Sequence, residues 1–306
     1  MHILDRARTA QALPYSRLVP AVAVAAKELS AGQIVAPERQ VVTIDPASVL
    51  LSMPAIGADV SVTKLITVHA KNAQHGLPAI QGEVIVFDTA TGRRLALLDG
   101  PTVTARRTAA MTLLGIDTFA PKKPSSVFII GTGVQAAAHV DALVEFFGVP
   151  EFHVAGRTVE SAQRFADALK VKHAGLTVHA HAAASFTNEA PETDVIIALT
   201  TSSVPVIPMK VAAQTLAVGV GAFKPNMAEF PPELLHARHI VVDDRDGAKH
   251  EAGDLIQAKV DWSNVTGIGD ILSGKAGHPS SLPVFKTVGQ AAWDLAAARV
   301  AIDTLV

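Results

Sequence analysis

In the stretch ADVSVTKLITVHA, residues 58–70, apolar side chains occupy every second position: Val60, Val62, Ile66 and Val68. A strand turns all of these to one face, so the pattern predicts a half-buried strand. The same face carries Lys64, a cation where four β-branched residues predict a core. The runs VVTI, VLLSM and EVIVFD flank this segment as further strands, and TATGRR supplies a turn before LALL. Upstream, Leu18, Val22, Ala25, Ala26 and Leu29 recur at helical spacing over residues 18–31, and Gly32 stops the pattern. The chain before Ile116 therefore reads as a mixed, mostly antiparallel α+β unit. Its last helix, PTVTARRTAAMTLLG, places Val103, Arg107, Ala110, Met111 and Leu114 on one stripe. Arg107 faces inward with that stripe, and Arg106 sits beside it.

From Ser125 the rhythm changes. SSVFIIG, EFHVAG, LTVHAH, DVIIAL, QTLAVGVG and RHIVVDD are short apolar runs, most of them separated by helical or polar segments. That is the pattern of a doubly wound parallel sheet covered on both faces. FAPKKPSS, residues 119–126, reads as the linker. The segment Val284 to Leu305 reads as one long alanine-rich helix with Trp293, Leu295 and Ile302, and periodicity does not say which domain it covers.

Composition narrows the function classes. The 306 residues are 49% hydrophobic and 18% charged, as in a compact enzyme-sized protein rather than a disordered one. With 26 basic and 28 acidic residues and no cationic run, nothing is suited to tracking a nucleic-acid backbone. The absence of cysteine removes disulfides, thiolate zinc sites and a cysteine nucleophile. Asp5, Arg6 and Arg8 precede any long apolar segment, and no stretch reaches the ~18 apolar residues of a membrane span, so a cytoplasmic protein without membrane partners is expected.

GTGVQA, residues 131–136, has the form G-x-G-x-x-A between a predicted strand and a predicted helix, the context of a dinucleotide fingerprint. Gly131 permits the tight turn, Gly133 lets backbone approach a pyrophosphate, and Ala136 allows close helix packing. Thr132, Val134 and Gln135 complete this candidate set. The helix opens without an acidic residue, so its N-terminal N–H groups are left for a ligand's negative charge. The second strand ends HVAGRT, with Arg157 where NAD-preferring sites carry an acid. A guanidinium there suits a 2′-phosphate, so NADPH is the expected cofactor, NADH at lower preference, with Arg157 and Thr158 at the phosphate. The alternative makes Arg157 a solvated loop residue; Arg164 is a weaker second candidate.

The inward cations Lys64 and Arg107 admit two readings. Either they pair with an acid of the protein, with Glu83, Asp88 and Asp99 available, or they line a pocket for an anionic substrate. The segment from VTKLITVHAKNAQHGLPAIQGEVIVFDTATG to ARRTAA, with FIIGTGVQA, VGAFKPNMAEF and IGDILSGKAG, resembles the ornithine cyclodeaminase/mu-crystallin family over nearly the whole chain.

The resemblance implies a Rossmann domain, residues 119–283, inserted into an α+β substrate-binding and dimerisation domain of residues 1–118 plus 284–306, the C-terminal helix returning to the first domain. It implies a homodimer and a substrate α-carboxylate gripped by Arg39, Lys64 and Arg107. In ornithine cyclodeaminases the segment matching VGAFKP carries an aspartate that acts on the substrate amine; here that position is Phe223. The departure points to reductases of the cyclic imino acids Δ1-pyrroline-2-carboxylate and Δ1-piperideine-2-carboxylate, giving L-proline and L-pipecolate. Lys64, Thr108 or solvent would give the proton. A cyclodeaminase-type lyase, an amino-acid dehydrogenase and a non-catalytic NADP(H)-binding crystallin-like protein are the alternatives.

The remaining polar candidates carry less. His179 and His181 alternate on a strand, but no third ligand is suggested nearby and no metal site is expected. His69 and His75 read as loop or polar-face residues. Asp243 and Asp244 either line the cleft or cap the next segment, and Asp270 reads as structural.

Overall fold

The computed structural model describes residues 1–305. The chain divides into two compact units, one of Met1–Ala110 together with the residues from Gln290 onward, the other Met111–Gly289. The first unit begins β1 (His2–Leu4), α1 (Arg6–Gln11), α2 (Tyr15–Ser30), β2 (Gln40–Asp45), β3 (Ser48–Ile56), β4 (Val60–His69), β5 (Ile80–Asp88) and β6 (Arg94–Asp99), followed by α3 (Gly100–Phe119). Its six strands run in the order β1-β6-β5-β4-β3-β2, antiparallel except where β1 joins β6. The alternation along β4 is realised: Val60, Val62, Lys64 and Ile66 are buried, while Leu65 between them is exposed.

The second unit holds β7 (Ser126–Ile130), α4 (Val134–Phe147), β8 (Glu151–Gly156), α5 (Val159–Lys172), β9 (Thr177–Ala182), β10 (Val195–Ala198), β11 (Leu216–Gly219), α6 (Pro232–Ala237) and β12 (Ile240–Val242). It continues with α7 (Arg245–Glu251), α8 (Gly253–Gln257), β13 (Val265–Gly267), α9 (Ile268–Leu272) and β14 (Val284–Lys286). The eight strands lie in the order β13-β12-β14-β11-β10-β7-β8-β9, every pair parallel. From β7 the chain winds outward through β8 and β9, then returns to the other side of β7 with β10. The crevice at the carboxyl ends of β7 and β10 is thus the topological switch point, where doubly wound sheets take their ligands. This is the α/β doubly wound arrangement that the apolar runs predicted.

The chain ends with α10 (Ala291–Leu305), which packs on α2 and on β3 and β4 of the first unit. Val284 to Leu305 was expected to form one helix, with residues 284–306 in the first domain, and the structure divides that segment. Val284–Lys286 is a buried strand inserted between β11 and β12, and Gly289, at φ +84°, separates it from the helix. A three-residue strand beside an alanine-rich helix shows no period of its own. The expected boundary at residue 118 likewise falls earlier, because the second half of α3 packs in the second unit: Gly115 leaves room for the Phe285 ring, and Thr112 bonds to His139. Among the described residues no helix is long and apolar enough to cross a membrane.

Candidate active site

Three elements carry charge into the apolar interior of the first unit. The β4 register sets Lys64 across from Met53 and Val84, where it is only 1% exposed. Helix α3 contributes Arg107, 6% exposed, and the first turn of α10 contributes Asp294, with no exposure at all. Lys64 Nζ lies 2.9 Å from Asp294 Oδ2 and donates to Oδ1 at 3.2 Å. Arg107 Nε approaches the same Oδ1 at 3.2 Å, an ionic contact off the hydrogen-bond direction. Glu83, Asp88 and Asp99, the acids expected to be available, are engaged elsewhere. Glu83 sits across from Leu65 on the opposite face, Asp88 closes the turn with Thr91, and Asp99 accepts from the backbone of Thr102.

One carboxylate therefore answers two buried cations. Burial pushes Lys64 down to about 8, Asp294 opposes that, and Arg107 and Arg39 push it further down. The charge of the half-buried Arg39 thus reaches Lys64, although it lies on the lead-in to β2. That lead-in is tied to the start of α10 by the side chain of Gln290, which donates to Ala36 O at 3.2 Å. Thr108 is buried beside Arg107 in the sequence, 7% exposed. Arg106 is absorbed structurally: its Nε donates to Leu13 O at 2.7 Å and its guanidinium stacks 4.0 Å above the Tyr15 ring. Asp294 was not expected as the counter-ion. The signal for it was an acid next to Trp293 in the otherwise apolar first two turns of an alanine-rich helix.

The glycine turn of the second unit lies at the switch point. Gly131 follows β7 at φ +122°, and a Cβ there would stand 2.6 Å from Leu199 O beyond β10, so only glycine fits. Gly133 is the N-cap of α4, with no capping side chain and open space where a Cβ would point. Thr132, Val134 and Gln135 surround it, and the buried Oε1 of Gln135 has no hydrogen-bond partner. An uncapped helix N-terminus and an open backbone face together fit a dinucleotide pyrophosphate. One turn on, His139 Nδ1 donates to Gln135 O at 2.8 Å and Nε2 accepts from Thr112 Oγ1 at 3.0 Å. Burial holds this imidazole neutral, at about 4.

Arg157 is exposed immediately beyond β8, with no acid at the strand end. Thr158 is used locally: its Oγ1 caps α5 by accepting from Ser161 N at 3.2 Å, and Ser161 Oγ bonds back to it. Arg164 is exposed on α5. A further residue of this edge went unnoticed in the sequence. Glu229 is fully buried and accepts from Thr200 N and Oγ1 at 2.7 and 3.1 Å, and from Gly221 N and Ala222 N at 2.7 and 3.2 Å. It ties together the loops leaving β10 and β11, the second of which carries Phe223. Burial pushes its carboxyl up to about 7. It lies in a loop with no periodicity, so only its position inside an apolar run, MAEFPPELL, marked it.

Asp243 and Asp244 both hold structure. Asp243 accepts from Val288 N and Gly289 N at 3.0 and 2.9 Å, and Asp244 caps α7. Asp270 lies in the first turn of α9. His69 ends β4 and His75 ends a short 3-10 turn. His179 and His181 lie on β9 beside His153 of β8, so the expectation that no third ligand is near fails.

Residues 2–306 match the ornithine cyclodeaminase/mu-crystallin family, and the chain belongs to it. It is 42% identical over 305 residues to the Δ1-pyrroline-2-carboxylate/Δ1-piperideine-2-carboxylate reductase of Azospirillum brasilense, covering 99% of this chain and 96% of that protein. It is 43% identical over 303 residues to Δ1-pyrroline-2-carboxylate reductase 2 of Burkholderia ambifaria, covering 98% and 95%. Among solved structures, Thermococcus litoralis Δ1-pyrroline-2-carboxylate reductase in complex with NADH and L-proline superposes with a TM-score of 0.88 over 99% of this chain and 97% of that one. At 24% identity that likeness bears on the fold.

Proposed function

We propose that the protein reduces the C=N bond of cyclic α-imino acids, Δ1-pyrroline-2-carboxylate to L-proline and Δ1-piperideine-2-carboxylate to L-pipecolate, with NADPH as the preferred donor. The observation that carries this reading is the buried charge surplus: among the described residues Lys64 and Arg107 share the carboxylate of Asp294. A substrate carboxylate supplies the missing negative charge. Each charge-assisted hydrogen bond to it contributes about 1.5–3 kcal/mol. Asp294 holds the two cations apart from solvent and in one geometry, a positioning role. Full pairing within the protein would have left no demand for a ligand, and two cations on one acid leave it.

When bound, a reduced nicotinamide supplies the hydride. The backbone of Gly131, Thr132, Gly133, Val134 and Gln135 would hold its pyrophosphate, and Arg157 would meet the 2′-phosphate of NADPH, with Thr158 at the start of α5 beside it. Lys64 serves twice. As an ammonium it grips the carboxylate, and with its pKa lowered to about 8 it is suited to giving its Nζ proton to the imine nitrogen near neutral pH. Arg107 and Arg39 hold the carboxylate through that transfer, and Thr108 lies beside Arg107 on the same helix. Phe223, half-buried, offers no base for removing a second amine, which disfavours the lyase reading.

Self-association as a homodimer fits the open face of the first sheet. Val42 and Leu65, 47% and 42% exposed, lie there with the half-buried Leu50. The edge strand β2 is exposed at every residue.

The test mixes the protein with NADPH or NADH and, separately, Δ1-pyrroline-2-carboxylate, Δ1-piperideine-2-carboxylate, pyruvate with ammonia, and L-ornithine. Cofactor oxidation with the cyclic imines, fastest with NADPH, is expected. Ammonia release from ornithine would replace the reading with a lyase, turnover only with pyruvate and ammonia with a dehydrogenase, and silence with all four with a binding protein.

A further inference from the structure

The outer edge of the second sheet carries a group of side chains that the proposed reaction does not use. Strands β8 and β9 are parallel and pair His153 with His179 directly across the ladder. Because side chains alternate, Glu151 shares the face of His153 and His181 shares that of His179. All four therefore project from one side of two neighbouring strands. Among the described residues, Glu151, His153 and His179 are the one group of three whose candidate ligand atoms lie within 4.8 Å of one another.

We propose that Glu151, His153 and His179 form a binding site for a divalent cation of the zinc class, which clips the edge strand β9 to β8. The donor set is one carboxylate oxygen and two imidazole nitrogens, which borderline cations such as Zn²⁺ favour. His179 Nε2 already lies 3.0 Å from Glu151 Oε1, and His153 Nε2 lies 3.8 Å from the same oxygen. Ligands about 2.0–2.1 Å from a tetrahedral cation stand roughly 3.3 Å apart, so side-chain rotation alone closes the group.

The fourth side chain strengthens the assignment. His181 Nε2 lies 3.1 Å from His153 Nδ1. When His153 Nδ1 donates to His181, its Nε2 keeps a lone pair directed toward Glu151, the arrangement by which an outer partner fixes a ligating histidine. Stacking holds the rings in place: His153 lies 4.6 Å from the ring of His179 at 27° and 5.3 Å from that of His181 at 5°. His181 in turn packs edge-on against Phe186, 5.0 Å away. The side chains of Glu151 and His179 are 41% and 44% exposed, so a water completes the coordination and the ion enters without any opening of the fold.

The experiment uses the untagged full-length chain stripped with a chelator and titrated with ZnCl₂ by calorimetry, with CoCl₂ as a spectroscopic probe. One saturable equivalent of Zn²⁺ is expected, with a melting temperature raised by about 5 °C at a hundredfold excess over the dissociation constant. Visible Co²⁺ absorption typical of low coordination number is expected as well. His153→Gln, His179→Gln and Glu151→Gln should each weaken binding at least tenfold, and His181→Gln should weaken it less. His236→Gln, on the distant α6, should leave it unchanged. Absence of a saturable equivalent in the wild type would overturn the proposal, as would variants that bind like the wild type. Cofactor oxidation by each variant, measured alongside, shows that it has folded.

Discussion

Each unit of this protein buries a cluster of charge, and the two clusters are opposites. In the first unit two cations, Lys64 and Arg107, meet the single carboxylate of Asp294. In the second unit one cation, Lys286, stands 3.5 Å from Asp254 and also acts on Glu229, so two acids answer one base. Burial lowers Lys64 to about 8 and raises Glu229 to about 7, as an unbalanced surplus of each sign requires. They differ in the sign of the surplus and in how the acid is held. Glu229 is filled by four donors, three of them backbone N–H groups, so it has no room for a ligand and acts as a clamp on two loops. Both clusters leave buried polar atoms without a hydrogen-bond partner, Arg107 Nε and Asp294 Oδ2 in the first, Lys286 Nζ and Asp254 Oδ2 in the second. Buried charge alone does not mark a binding site; in the first cluster two cations on one carboxylate suit an anionic ligand.

The contrast can be broken most forcefully at Asp294. Asp294→Asn leaves two buried cations without their carboxylate and should lower stability by about 3–5 kcal/mol in urea denaturation. Adding Lys64→Met should restore much of that stability but no activity. A single variant within about 1 kcal/mol of wild type would show that the cations are not paired as described.

The second cluster should respond to pH. The carboxyl of Glu229 is raised from an ordinary 4.5 to about 7, so between those values the folded chain holds a proton that the unfolded chain has lost. Its contribution is whole below about 4.5 and disappears as pH rises through about 7. Wild-type stability should therefore fall between pH 5 and 8 by a component on the order of 2 kcal/mol. Glu229→Gln should lack that component. It should also be less stable at pH 5, because its amide NH₂ would face the N–H groups of Gly221 and Ala222. An equal slope in both proteins would remove Glu229 as its source.

Two smaller effects sharpen the functional half of the contrast. Arg157→Ala should raise the KM for NADPH roughly 10–100-fold and leave that for NADH nearly unchanged, since only the 2′-phosphate loses a partner. An equal change for both cofactors would place Arg157 elsewhere. Above pH 8 Lys64 loses its proton, and the KM for the imino acid should rise by up to about tenfold per pH unit. A flat profile to pH 9.5 would mean that Lys64 stays charged or does not touch the substrate.

The sequence made half of the first cluster legible and hid the other half for a physical reason. Lys64 and Arg107 interrupt a period of two and a period of 3.6, so their faces could be read directly. Helix α10 is buried on almost every side, so it has no polar face against which Asp294 could look misplaced. Strand order and register were hidden for a similar reason. The runs that became β7 to β12 announced a parallel sheet, but nothing local said that β14 would insert between β11 and β12, or that His153 would stand beside His179. The glycine turn was legible because a backbone at φ +122° pressed against a neighbouring strand admits only one residue type.

The most direct test compares Δ1-pyrroline-2-carboxylate with 2-methyl-1-pyrroline, which has the same C=N bond and no carboxylate. The ratio of their kcat/KM values is measured for the wild type, Lys64→Met and Arg107→Met. The wild-type ratio should fall at least tenfold in each variant, with NADPH affinity preserved. A ratio unchanged by either substitution would show that these cations do not receive the substrate's acid group.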